Sequence, residues 1–199
     1  MNIVFLDLEL NKTHDEDIRE SKTTDIIQIG AAILDTSTGT IIDTFSRFCN
    51  LSTRLDSGEL RLSKFIVKLT GITDEQINSS GIPLEQAYNE LIAWIKKHEA
   101  SRIVGTWGSG DLDCLRSQLP TNIVWHFSRF DSTGYYDVKK MFQSYQIINN
   151  AKWQGGLRKA INVLDIQLDG KRTYHNAEFD AIMTAKVYYY LVSKWRKNE

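Results

Sequence analysis

Asp7 and Glu9 close the first apolar run of the chain, NIVFLDL (2–8). In a strand, residues i and i+2 point to one face, so the two carboxylates would project together. Like charges placed side by side on an apolar strand are costly unless a cation joins them. Oxygen ligands in that arrangement suit Mg²⁺ or Mn²⁺. The alternative is a strand that ends at Asp7 and leaves both groups in water. Asp111 is a further carboxylate, following RIVGTW (102–107) through the turn Gly108-Ser109-Gly110. It sits at a strand's C-terminal end, where open α/β sheets gather ligands. Asp111 would serve equally well as a helix cap, and Asp113 is a rival ligand; Asp111 is preferred because it is nearer the turn.

His175-Asn-Ala-Glu-Phe-Asp180 adds a histidine five residues before an aspartate. Asp180, about one turn into a helix, would face a cleft. His175, on the approach, could swing towards a metal-bound water as general base. The same spacing recurs in His126-Phe-Ser-Arg-Phe-Asp131. That copy starts in a strand-like run and is not followed by a helical pattern, so it is read as structural.

The elements that must position these groups follow from periodicity. After the strand 2–8 comes a polar stretch, 11–24, expected as a surface loop. DIIQIGAAILD (25–35) and IIDTFSRFC (41–49) flank a Thr/Ser/Gly turn, so the first fifty residues read as a three-stranded antiparallel meander. SKFIVKLTGI fits a short helix stopped near Gly71, and Thr73-Asp-Glu-Gln76 has capping-box form. Leu84, Ala87, Tyr88, Leu91, Ile92 and Ile95 recur at helical spacing to about residue 98. Strands are expected at 102–107 and 123–127. Helices are expected at 111–119, over VKKMFQSY and GLRKAINVL, and from about Ala177 to Trp195 with Ala177, Ala181, Ala185, Tyr188, Val192 and Trp195 on one face. Strands first, then strands alternating with helices, indicate a mixed α/β sheet.

In order along the chain, FLDLE (5–9), IIQIGAAILD (26–35), LTGIT (69–73), TWGSGD (106–111), GGLRKAINVLDI (155–166) and HNAEFDA (175–181) resemble the DEDDh group of DnaQ-like 3′–5′ exonucleases. The resemblance spans roughly residues 3 to 190. TWGSGD and GGLRKA look closest to the RNA-processing branch, similar to the histone-mRNA and small-RNA exonucleases. It implies a ribonuclease H-like fold, a mixed five-stranded sheet with an antiparallel meander plus parallel strands, flanked by helices. It also implies that Asp7, Glu9, Asp111 and Asp180 hold two Mg²⁺ ions, with Mn²⁺ able to substitute, and that His175 activates the water. The tyrosine variant of the family has its tyrosine where this chain has Asn176, so the histidine variant is the one matched. Leu8, Leu10, Ile72 and Trp107 are implied to contact the last bases; Trp107 reads equally as a core aromatic. The polar loop 11–24 and the stretch 167–174, with Lys171 and Arg172, could embrace the strand. Two departures stand out. Leu10-Asn11 replaces the threonine or alanine that relatives often carry, and Gln28 stands where they commonly have glutamate.

The expected substrate is single-stranded nucleic acid, RNA favoured. The alternatives are a DNA 3′–5′ exonuclease of the proofreading or repair type and an inactive nucleic-acid-binding domain of the same fold. A net charge of −1 is low for a nucleic-acid binder, but two divalent ions would reverse the sign within the cleft. At 199 residues the chain is expected to form one exonuclease domain. Two widely spaced cysteines, Cys49 and Cys114, no basic segment ahead of Asp7 and no long apolar run fit a soluble, cytoplasmic protein.

Overall fold

The alternation of β1 (Asn2–Asn11) builds the two layers of the molecule. Val4, Leu6 and Leu8 enter one core cluster and Ile3 and Phe5 another, on the opposite face of the sheet. The first cluster is closed by α3 (Leu84–Lys97) and α4 (Gly110–Gln118), through Ala87, Tyr88, Leu91, Ile95, Leu112 and Leu115. The second is closed by α5 (Val138–Ile148), α6 (Leu157–Val163) and α7 (Ala177–Arg196). The computed structural model describes residues 1–11, 25–52, 61–127, 135–152, 155–167 and 175–196.

β2 (Asp25–Asp35) and β3 (Ile41–Phe48) complete the expected antiparallel meander with β1. β4 (Val104–Thr106) and β5 (Tyr135–Asp137) run parallel on the other side, giving the order β3-β2-β1-β4-β5. This is the mixed five-stranded ribonuclease H-like sheet implied by the sequence. α1 (Lys64–Thr70) ends on Gly71 at φ 73, and α2 (Asp74–Ser80) opens with the anticipated Thr73/Gln76 capping box. No described helix is long and apolar enough to cross a membrane.

One strand is misplaced in the sequence reading. Residues 123–127 do not join the sheet; the fifth strand is the three-residue β5. Side chains satisfy the backbone that a ladder would otherwise have paired. The His126 N–H donates to Tyr88 Oη at 2.8 Å, and Arg102 Nε donates to the His126 carbonyl at 2.7 Å. Val124 is left 85% exposed. A smaller correction concerns α7. Ala177, Ala181, Ala185 and Tyr188 are buried as expected, but Trp195 at the end of the same face is exposed.

α7 can lie close to the sheet because its contact residues are small and because β2 carries Gly30. A Cβ at Gly30 would sit 2.0 Å from the Ala177 carbonyl carbon. Backbone cannot yield as a side-chain tip can, so Gly30→Ala should push α7 away. We expect a loss of ~1–3 kcal/mol, the usual range for overpacking, measured by urea unfolding. Wild-type stability in that variant would show that the helix does not approach the strand in this way.

Candidate active site

The register of β1 brings the site together. Asp7 pairs with Gly30 and Glu9 with Gln28, so all four positions face α7. The helix begins above Gly30, which carries Asp180, one turn in, over the two β1 carboxylates. Asn176 caps it, its Oδ1 accepting from the Phe179 N–H at 3.2 Å. Gln28 holds the first turn from below. Its Oε1 accepts from the Ala177 N–H at 3.1 Å, while its Nε2 donates to Ser46 Oγ at 3.0 Å. Thr44 Oγ1 donates to Glu178 Oε1 at 2.6 Å and ties the same turn to β3.

Asp111 arrives from the other side. β4, parallel to β1, ends at the buried Thr106, whose hydroxyl donates to the Gly108 carbonyl. Gly108 at φ 101 adopts a backbone suited to glycine, and the chain enters α4 with Asp111 in its first turn. Ser109 is the N-cap, so capping is not what Asp111 does. Asp113 is exposed and lines a surface cleft with Arg116 and Ser117. Of the two aspartates it is Asp111 whose charge reaches Asp7 and Glu9.

Electrostatics define the cluster. Burial pushes the Asp7 carboxyl well above the ordinary carboxylate range, and the charges of Asp111, Asp180 and Glu9 push it further. Burial, then Asp180 and Asp111, raise Glu9 to about 8. Burial raises Asp180 to about 7 although the His175 backbone N–H donates to its carboxylate. Asp180 Oδ1 is shielded from solvent and has no hydrogen-bond partner among the described residues. Glu9, His175 and Asp180 each offer a ligand atom within 4.8 Å of the others. An oxygen-rich, mutually repelling set with an orphaned carboxylate oxygen fits a hard divalent cation. His175 is exposed and holds a left-handed backbone, φ 61, directly before the cap. Such a conformation is uncommon outside glycine.

His126 is remote in character from this group. Its backbone is bound by Tyr88 and Arg102, and burial, Arg102 and Lys96 lower its pKa. Its partner in the duplicate spacing, Asp131, lies outside the described residues, as do residues 12–24 and 168–174. The four residues expected to meet bases belong to three packing clusters. Leu8, 6% exposed, packs in the α3–α4 layer with Leu10 beside it, and Ile72, 4% exposed, packs with Ile27 and Leu62. Trp107 packs on Phe142, ring centroids 6.1 Å apart. Leu10 and Trp107 retain some exposed surface.

Sequence reasoning missed three supporting residues. Asn176 was legible, since asparagine before an Ala-Glu run is a common N-cap. Gly30 and Gln28 act on a helix nearly 150 positions away, and no local pattern signals that.

The sequence matches the profile of the Exonuclease family (RNase_T) over residues 4–188. No curated protein matches it. Among solved structures, the chain is similar to the nuclease domain of 3′hExo, a DEDDh family member, bound to rAMP. The two share 22% identity with a TM-score of 0.72, over 97% of this chain and 92% of that one. It is similar to cell-death related nuclease 4 (CRN-4) at 16% identity and TM-score 0.76, over 97% of this chain and 64% of that one. It is also similar to S. pombe Pop2p in its Mg²⁺- and Mn²⁺-bound form, at 20% identity and TM-score 0.67, over 99% and 85%.

Two predictions come from this geometry. Gln28→Leu strands the buried Ala177 N–H, which should cost ~1–3 kcal/mol. By displacing Asp180 it should also lower turnover on the order of 10²-fold. Gln28→Glu keeps the acceptor and should restore most of the stability at pH 5, where a buried carboxyl opposite Glu9 stays protonated. Equal melting temperatures for all three proteins would contradict the anchoring role. The second concerns pH in chelator. Glu9 and Asp180 have pKa values raised on folding, to about 8 and about 7, so the native state binds more protons than the unfolded one. Stability should be full below the ordinary carboxylate range and fall as pH rises towards 8. Glu9→Gln should flatten this fall and melt higher than wild type at pH 8, by ~2–4 °C for each kcal/mol of repulsion relieved. A wild-type melting temperature that rises from pH 5 to pH 8 in chelator would refute the shifts.

Proposed function

Because the chain belongs to the exonuclease family, we propose that it releases nucleoside 5′-monophosphates stepwise from the 3′ end of single-stranded nucleic acid, with RNA favoured. The observation that carries this reading is the convergence of Asp7, Glu9, Asp111 and Asp180 beside His175. In this reading the four carboxylates hold two divalent cations, Mg²⁺ with Mn²⁺ as substitute. Bound ions of this kind lower the pKa of water and offset charge on the departing oxygen. His175 accepts the attacking water's proton on its imidazole, the general-base role that histidine fills most often. Its exposure leaves it free to turn towards the substrate.

Leu8, Leu10, Ile72 and Trp107 are proposed to border the terminal bases, with Leu10 and Trp107 offering the accessible edges. RNA is favoured by the likeness of TWGSGD (106–111) and GGLRKA (155–160) to the RNA-processing branch. The similar 3′hExo domain, which holds rAMP, supports the same choice.

A 5′-labelled single-stranded RNA should yield a descending ladder with Mg²⁺, and a matched DNA should be degraded more slowly. A 3′-phosphate should block digestion, because it adds charge beside Glu9. His175→Ala should lose ~10²–10⁴-fold in rate, whereas His126→Ala should chiefly lower stability. Efficient cutting of a circular strand would refute an end-directed enzyme. A larger catalytic loss in the His126 variant would reverse the assignment of the base.

A further inference from the structure

On the far side of α4 from the carboxylates lie two adjoining surface clefts. One, of about 550 Å³, runs along α4 and is lined by Asp113, Arg116 and Ser117. The other, of about 450 Å³, lies against α3 and is lined by Lys96, Arg102 and His126. Ile123 and Trp125 line both, so the 120–127 segment forms a ridge between them. On a helix of 3.6 residues per turn, Asp113 and Ser117 project from the side of α4 opposite Asp111. The clefts are thus a separate surface from the candidate active site.

Three observations give this surface a ligand chemistry. First, the cations are uncommitted. Lys96 and Arg102 are exposed, and among the described residues neither has a carboxylate partner. Among the described residues Arg102 spends its Nε–H on the His126 carbonyl and makes no other hydrogen bond with its guanidinium fork. Their positive field is strong enough at His126 to help lower its pKa. Second, two buried nitrogens lie beneath the ridge without a partner among the described residues. These are His126 Nε2 and Trp125 Nε1. Third, the ridge is aromatic and apolar. Trp125 stacks on Tyr88 with ring centroids 5.9 Å apart and planes 7° from parallel, and the Arg116 guanidinium lies 5.8 Å over the Trp125 ring. Val124, beside it, is the most exposed large apolar residue of the described chain.

We propose that these clefts form a second binding site for the backbone and bases of single-stranded nucleic acid, holding the substrate at a distance from its 3′ end. Unpaired cations tracking phosphates, with an aromatic or guanidinium plane between them, are the recurring device of single-strand binders. Among the described residues that line the clefts, Asp113 is the one carboxylate against Lys96, Arg102 and Arg116, so the surface keeps a positive balance in a chain of net charge −1. A helix with its side chains is ~10–12 Å across, and single-strand sites extend over ~4–16 nucleotides, so one strand can reach both surfaces. The proposal rests on the nuclease reading above, since that is what supplies a polyanionic ligand.

The test compares Lys96→Glu/Arg102→Glu with wild type on two probes: a uridine trinucleotide and an oligouridine of about 20 nucleotides, the latter exceeding single-strand site sizes. Turnover of the trinucleotide should be unchanged. Affinity for the long strand, by fluorescence anisotropy in chelator, should fall about tenfold. Its log–log salt slope should drop by about 1.4, or ~0.7 for each phosphate no longer neutralised. Lys96→Glu alone, at an exposed position without a partner, should give half the slope change and controls for misfolding. Unchanged long-strand affinity, or equal losses on both probes, overturns the proposal. A wild type that leaves the trinucleotide intact would count against the nuclease reading instead, and long-strand affinity would still decide the clefts.

Discussion

Four carboxylates gathered in one desolvated place repel one another, and much of the architecture exists to hold them there. Two unit charges 4 Å apart repel by ~4 kcal/mol at an effective dielectric constant of 20. Whole domains are stable by only ~5–15 kcal/mol. Such a cluster cannot stay fully ionised without either protons or cations, and the raised pKa values of Asp7, Glu9 and Asp180 express the first alternative. The scaffold opposes the repulsion from both sides. Gly30 lets α7 descend onto β2, Gln28 and Thr44 fasten its first turn, and the Thr106–Gly108 turn aims α4. The left-handed backbone at His175 is a further cost of placing an imidazole beside that turn.

Charge is also partitioned across the fold. α4 carries Asp111 towards the acidic cluster and Arg116, with Asp113, towards the clefts behind it, where Lys96 and Arg102 keep the balance positive. That partition is hidden in the net charge of −1, which averages a demand for cations on one side and a supply of them on the other. An enzyme with a polyanionic substrate has use for both: cations to neutralise the scissile phosphate and fixed positive charge to retain the rest of the strand.

How far this was legible depended on whether the interaction was local. The i, i+2 geometry of Asp7 and Glu9 needs nothing but a strand, and β1 supplies it. The capping box at Thr73, the stop at Gly71 and the alanine stripe of α7 are likewise short-range signals, and the structure has them where the sequence put them. The strand expected at 123–127 failed because Tyr88, 38 residues away, and Arg102, 24 away, take up its backbone groups. β5 was missed because its three residues run straight into α5, with no turn to set them apart from the helical pattern. Gln28 was visible as a departure from relatives, but its purpose was not; that purpose is a contact 149 residues distant. Asp111 is preferred to Asp113 for its nearness to the turn, and the orientation of α4 adds the physical reason, since it is the Asp111 charge that reaches Asp7 and Glu9.

The central claim is that this cluster trades protons for divalent cations, and metal-linked proton release tests it most directly. Mn²⁺ binding would be measured by titration calorimetry at pH 7 in buffers of differing ionisation enthalpy. Binding should be accompanied by net proton release, greater at pH 6 than at pH 8.5 because Glu9 and Asp180 lose their protons with pKa values of about 8 and about 7. Binding with the same heat in every buffer, or no binding at all, would contradict it.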